Sequence, residues 1–192
     1  MLTDNDFACA ARLLGVEQAV LEAVAEVETA SGGGFLKDGR VRILFEGHIF
    51  WRRLRLCGID PEPLAARNPD ILFCKRSTNH YRGGAAEWER LERAAALNRK
   101  AALESASWGA FQIMGFNHAL CGETSVEEFV DRMGSSEAEQ LRLAVTFMQK
   151  TGVVRYLKTK DWINFARQYN GAGYAANSYD KRLAEAYRKK KR

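Results

Sequence analysis

Three glutamates, Glu22, Glu26 and Glu28, fall in or just after one apolar-periodic stretch, and the residues around each decide which of them suits acid chemistry. On a helix, side chains three and four positions apart are neighbours. Glu26 follows Glu22 by one turn and so shares an edge with another carboxylate. Glu28 instead follows Val24 and Ala25, with Leu21 two turns back. It also sits in the last turn before Ser31 and Gly32-Gly33-Gly34, where the negative end of the helix dipole opposes an ionised carboxylate. Apolar neighbours and dipole both raise its pKa, which suits a group that donates a proton at neutral pH. The plain alternative is a solvated glutamate at a frayed helix end.

The elements that must position such a group are mostly helical. Phe7, Ala10, Ala11 and Leu14 predict a first helix, capped at Thr3 or Asp4 and closed by Gly15. Val16, Ala19, Val20, Ala23, Val24 and Val27 predict a second, ended by the glycine run. Asp38-Gly39 between apolar segments predicts a small β-hairpin at about residues 34 to 45. The stretch holding Pro61, Pro63 and Pro69, through Asn79 to Gly83-Gly84, reads as an extended surface connection of the sort that often lines binding sites. Helices follow from Glu87 to about Leu103, from Ser125 to Met133 behind a Ser125/Glu128 capping box, and through Ala138, Leu141, Val145 and Met148. Asp161 caps one with Trp162, Phe165, Ala166 and Tyr169, and Tyr179, Leu183, Ala186 and Tyr187 line a last one. The fold class is mainly α (α+β), a helical body with one small hairpin.

With 192 residues, 46% hydrophobic and 28% charged, the chain reads as a single globular domain over 1–192. Its charge of +5 is concentrated at one end. Lys181 to Arg192 hold seven Lys/Arg and one Glu, which leaves 22 basic against 23 acidic groups in the first 180 residues. A near-neutral body argues against a nucleic-acid-binding domain. The tail joins an apolar stripe to a cationic end and so resembles an interfacial helix for anionic wall or outer-membrane polymers, with a solvated tail as the alternative. Cys9, Cys57, Cys74 and Cys121 are widely spaced, and neither a zinc motif, a secretory signal pattern nor an 18-residue apolar run is present.

Four segments carry a family resemblance. Glu28-Thr29-Ala30-Ser31-Gly32-Gly33-Gly34-Phe35 resembles the Glu-Ser-x-Gly-x-Gly-Phe stretch of phage and prophage N-acetylmuramidases, peptidoglycan-degrading endolysins with a lysozyme-like fold. Asp38-Gly39-Arg40 through Ile43-Leu44-Phe45-Glu46-Gly47-His48 is similar to that family's next segment. Ala106 to Gly115, with Trp108-Gly109-Ala110-Phe111-Gln112-Ile113, is similar to the Gly-x-x-Gln-Ile element of goose-type lysozymes and lytic transglycosylases. Tyr169-Asn170-Gly171-Ala172-Gly173-Tyr174 resembles that larger group's Tyr-Asn-x-Gly element, so the likeness runs from about residue 15 to 188. Thr29 departs from the more usual Ser but keeps a hydroxyl.

The resemblance implies a hydrolase that cuts the β-1,4 bond between N-acetylmuramic acid and N-acetylglucosamine, with Glu28 as the acid. It also implies a hairpin beside the catalytic cleft. Glu46, at the hairpin's end, is nominated as the second catalytic group; its alternative is an ion pair with Arg40, Arg42 or Arg52. Asp38 is explained by its turn, and His48 is given no chemical role. Gln112, Tyr169, Asn170 and Trp108 are the expected substrate contacts, with loop satisfaction, helix-end packing and core packing as their plain readings. No metal or cofactor is needed. Many relatives carry a separate peptidoglycan-binding domain, for which a chain of this length is expected to have no room, and a monomer is the default. The resemblance to phage lysis systems implies a protein made in the host cytoplasm that reaches the wall after a partner opens the membrane. The nearest competing chemistry is a lytic transglycosylase, which keeps the acid but needs no water. A non-catalytic wall-binding module is a further reading. A helix-turn-helix in the first two helices is opposed by the four glutamates and absent cations of Val16 to Glu28.

Overall fold

Thr3 opens the first helix as its sequence predicts: its hydroxyl accepts from the Asp6 N–H (3.3 Å) and the Asp6 carboxylate accepts from the Thr3 N–H (2.8 Å). The computed structural model describes residues 1–29, 32–170 and 178–191. Helix α1 (Asp4–Leu14) ends at Gly15, whose φ of 64° and N–H bonds to Ala11 and Arg12 carbonyls form a left-handed cap. Helix α2 (Gln18–Thr29) buries Val20, Leu21, Ala23, Val24, Ala25 and Val27, most of its circumference, which makes it a central rather than a surface helix.

α2 lies between α1 and the last helix, which spans Tyr179–Lys190 and whose predicted stripe of Tyr179, Leu183, Ala186 and Tyr187 is buried. That burial corrects the expectation of an interfacial helix over 181–192, because the apolar face is committed to the core. The charges are engaged as well: Lys189 pairs with Glu185 (3.0 Å), Lys190 with Glu26 (3.3 Å), and Arg182 turns inward to the Val27 carbonyl (3.1 Å).

The predicted hairpin exists as a turn, with Leu36 N–H donating to Arg40 O (2.7 Å) and a single bridge between Phe35 and Val41. Beyond it the chain pairs elsewhere. Strand β1 (Ile43–Phe45) runs antiparallel to β2 (Ala106–Trp108), which pairs in turn with β3 (Ile113–Met114), in the order β1-β2-β3. The sheet therefore has three strands where one hairpin was expected. Its extra members come from a segment more than 60 residues downstream, and Gly109 N–H to Arg42 O (2.8 Å) extends the seam.

Helix α3 (Gly47–Leu56) and the short α4 (Glu62–Ala65) occupy stretches where no helix was predicted. The single helix expected from Glu87 to Leu103 is two, α5 (Ala86–Leu97) and α6 (Arg99–Glu104). Asn98 separates them: its backbone is extended and its side chain accepts from Ala101 N–H (2.9 Å), so it caps the second. A 3-10 helix (Gly115–Cys121) leads to α7 (Val126–Ser135), α8 (Glu137–Thr151), α9 (Val154–Thr159), α10 (Trp162–Asn170) and α11, the Tyr179–Lys190 helix. Ser125 and Asp161 cap α7 and α10 as expected. Glu128, however, returns to Thr124 rather than to the Ser125 N–H, so the capping box is only half formed.

The 3-10 helix is pressed against the end of α6. A Cβ at Gly115 would lie 2.1 Å from the Leu103 carbonyl oxygen, a backbone atom with little freedom to move. Gly115→Ala is expected to cost about 2–3 kcal/mol and lower Tm by about 5–10 °C in thermal denaturation. An unchanged Tm would contradict this close approach. Among the described residues no helix is long and apolar enough to cross a membrane, and no group of three or more His, Cys, Asp or Glu is placed to hold a metal ion.

Candidate active site

Glu28 ends α2, half-buried, with its side chain reached from α11 rather than from its own neighbourhood. The Tyr179 hydroxyl donates to Glu28 Oε1, and the Arg182 charge bears on the carboxyl. Burial pushes the Glu28 pKa up to about 8, and the opposing pull of Arg182 does not restore it. The group is therefore predominantly protonated at pH 7, which a general acid requires. The dipole of α2 acts in the same direction.

Tyr169 lies within electrostatic reach of Glu28. Its ring stacks on Phe165 (5.2 Å, 16°) and meets Phe147 edge-on (5.9 Å, 80°), while its hydroxyl is buried without a hydrogen-bond partner among the described residues. Burial pushes this phenol well above its ordinary value, so it stays neutral. Its hydroxyl is closed to solvent, while the residue as a whole is half-buried. The Asn170 side chain and residues 171–177, with the rest of that motif, lie outside the described residues, as do Ala30 and Ser31.

The glycine run after Glu28 is fixed from three directions. Arg42 donates to the Gly32 and Gly33 carbonyls (2.9 Å each), Glu137 accepts from Gly34 N–H (3.0 Å), and Gly34 O accepts from Arg42 N–H (2.9 Å). The wholly buried Gln140 sits where a Cβ at Gly34 would be, 2.0 Å from its Oε1. The same amide accepts from Ala110 N–H (2.8 Å) and donates to Met133 O (2.8 Å), joining the glycine run to the β2–β3 turn.

From Arg42 the sheet presents one open face. Ile43 and Phe45 are buried, so strand alternation puts Arg42, Leu44 and Glu46 on the other side. Ser107, opposite Leu44, shares that face and donates to Gln112 Oε1 (2.8 Å). Gln112 holds a φ of 47°, uncommon for a residue with a side chain, and its amide nitrogen donates to Gly109 O (2.8 Å). A strained backbone stabilised by both amide atoms is the kind of local cost that functional sites carry. The bonds leave one N–H and one lone pair of the amide for a ligand.

Glu46 follows β1 and opens α3. Its Oε2 accepts from the Tyr81 hydroxyl (2.6 Å) and lies 3.2 Å from His48 Nδ1. Among the described residues the ion pair weighed with Arg40, Arg42 or Arg52 is absent: Arg40 is held by Asp38 (2.8 Å), Arg42 by the glycine carbonyls, and Arg52 pairs with no carboxylate. Glu46 and Glu28 share no hydrogen-bonding partner. Trp108 is corrected outright: it is wholly buried, its indole N–H donates to Leu103 O (3.1 Å) and its ring meets Trp88 edge-on, so it offers no face to a sugar.

Tyr179, Tyr81 and Gln140 were not legible as site residues. Tyr179 lies 151 positions from Glu28 and reads as one more member of a helical stripe. Tyr81 lies in the connection flagged as a site-lining loop, which was the only available signal.

A helical body in which a protonated glutamic acid ends the central helix, next to a small antiparallel sheet with an open polar face, is the architecture of a lysozyme-type glycoside hydrolase. Comparison with known proteins agrees. The N-acetylmuramidase family model matches residues 17–191. A crystal structure of the Burkholderia AP3 phage endolysin superposes with a TM-score of 0.90 at 44% sequence identity, covering 99% of this chain and 71% of that one. No curated protein matches the chain. The chain belongs to the N-acetylmuramidase family, and it is a glycoside hydrolase that cleaves peptidoglycan.

Proposed function

We propose that this chain is an endolysin catalytic domain that hydrolyses the β-1,4 bond between N-acetylmuramic acid and N-acetylglucosamine, with Glu28 as general acid. The observation that carries the reading is the raised pKa of Glu28 at the end of a buried helix. A glycosidic oxygen leaves poorly unless protonated, and a carboxylic acid still holding its proton at pH 7 supplies that step. As the proton departs, the Tyr179 hydroxyl bonds to the new carboxylate, and Arg182 adds a favourable charge. The bond to a charged acceptor strengthens just as the negative charge forms.

Glu46 is the second carboxylate of this reading, on the sheet face that begins at the Arg42 contact with the glycine run. Gln112, with its remaining donor and acceptor, holds an N-acetyl group or the attacking water. Asn170 is retained as a substrate contact by resemblance alone. The match over residues 17–191 supports one catalytic domain; release to the wall after a partner opens the inner membrane is part of this reading by resemblance alone. For anionic wall polymers the tail offers Lys181, Arg188 and Lys191, which form no ion pair among the described residues.

The test is the pH dependence of reducing-end release from purified peptidoglycan. Activity is expected to fall as pH rises through about 8, because Glu28 then loses the proton it must donate. A loss of activity already as pH rises through about 4–5, where an ordinary glutamate gives up its proton, would contradict Glu28 as the acid.

A further inference from the structure

The segment between α4 and α5 is built against the start of α3, and it brings charge with it. A Cβ at Gly47 would lie 2.5 Å from the Phe73 ring and 2.7 Å from the Ile71 carbonyl oxygen, so the bare glycine lets this loop close on the helix. Phe73 in turn packs on His80 (4.8 Å), next to Tyr81, whose hydroxyl reaches Glu46. The loop's other end is anchored by Glu87, which accepts from the Arg82 (2.7 Å) and Gly83 (3.0 Å) N–H groups.

The loop closure leaves two arginines facing one buried imidazole. His48 is 7% exposed, and its Nδ1, although 3.2 Å from Glu46 Oε2, lacks the geometry of a hydrogen bond and has no other partner. Arg52 stands one helical turn after it, and Arg76 arrives from the loop, where it also reaches the Tyr81 phenol. Both bear on His48, both are exposed, and neither forms an ion pair among the described residues. Burial is the main cause that lowers the His48 pKa; Glu46 pulls it up, and the two arginines act in the same direction as burial, so the net shift is downward. The imidazole is thus neutral at pH 7, and only Glu46 offsets the two cations.

We propose that Arg52 and Arg76, beside His48 and Tyr81, form a subsite for the carboxylates of the peptide stem carried by muramic acid. The inference rests on the muramidase reading above and adds a substrate requirement to it. The open sheet face leads from the glycine run to Glu46, so a glycan lying on it delivers its peptide substituents to this corner. Two guanidinium groups without acidic partners among the described residues match anionic peptide carboxylates, and the sugar chain itself is uncharged wherever the lactyl carboxyl is held in the amide bond to its stem.

The test compares purified sacculi with the same glycan strands stripped of peptides by an amidase and capped as methylamides at the lactyl carboxylates this exposes, using wild type, Arg52→Glu/Arg76→Glu and the milder Arg52→Gln/Arg76→Gln. Wild type is expected to favour the peptide-bearing substrate. The charge-reversed variant is expected to lower the ratio of kcat/KM for peptide-bearing over peptide-free glycan about tenfold, through KM, with the Gln variant intermediate and the wild-type preference weakening as salt rises. An unaltered ratio, an equal loss on both substrates, or no wild-type preference would overturn the subsite. Equal loss with a lower Tm would assign the arginines to structure, and loss only on teichoic-acid-bearing walls would assign them to a phosphate polymer. If wild type cleaves neither substrate, the muramidase reading fails first, and the two failures are thereby separated.

Discussion

Glu28→Gln is expected to lose about a thousandfold in glycan cleavage while becoming more stable at neutral and alkaline pH. The loss is the usual contribution of a positioned general acid, since an amide cannot protonate the leaving oxygen. The gain follows from the raised pKa. Between the ordinary value of 4.5 and about 8 the folded protein binds this proton more tightly than the unfolded chain does. Folding stability from this group is therefore full below 4.5 and is lost as pH rises towards 8. Gln never has to ionise in that setting, so the variant avoids a cost on the order of 3 kcal/mol at pH 8. Thermal denaturation should show a Tm several degrees above wild type at pH 8 and little difference at pH 4. An inactive variant with lowered stability at both pH values would mean that Glu28 is a structural residue.

Arg90→Ala is expected to be among the most damaging single substitutions for stability. Glu87 and Arg90 are 0% and 1% exposed and pair at 2.8 Å. Burial pushes the Glu87 carboxyl up, but N–H bonds from Arg82, Gly83 and Phe45, together with Arg90, outweigh it and hold it below its ordinary value. Arg90 also donates to Phe45 O (3.0 Å) and Asp70 O (3.0 Å). One guanidinium thus ties α5 to the end of β1 and to the loop that carries Tyr81. Its removal leaves a buried carboxylate short of a counter-charge and two carbonyls short of a donor, which costs about 3–5 kcal/mol and about 10 °C in Tm. Arg90→Lys should recover only part, because an ammonium cannot span all three acceptors. A loss below about 1 kcal/mol would mean that the pair is dispensable.

The residues that local pattern could reveal were those whose roles depend on near neighbours. Glu28 stood out as a candidate because helical spacing and the glycine stop are local, although its choice as the acid came from the family resemblance; the end of α2 and the turn at Asp38-Gly39 follow the same local logic. Residues whose roles depend on distant partners were hidden. Ala106 to Trp108 reads as apolar chain, and nothing local says that it pairs with Ile43 to Phe45. Trp108 looked like a sugar platform because it sits in a matched motif, yet an indole whose N–H finds Leu103 O packs inward. Asn98 was read as helix interior, although its side chain could have been recognised as a cap. The tail was misassigned because an apolar stripe with cations beside it looks alike on a membrane and on a core. Tyr179, Gln140 and Tyr81 become site residues only once α11, α8 and the loop before α5 have folded against α2 and β1.

The central claim is hydrolysis driven by the Glu28 proton, and mass spectrometry of borohydride-reduced fragments from purified peptidoglycan tests it most directly. The account predicts reduced N-acetylmuramic acid ends from the wild type and essentially none from Glu28→Gln. Fragments ending in 1,6-anhydro-N-acetylmuramic acid, or reduced muramic ends still released by Glu28→Gln, would contradict it.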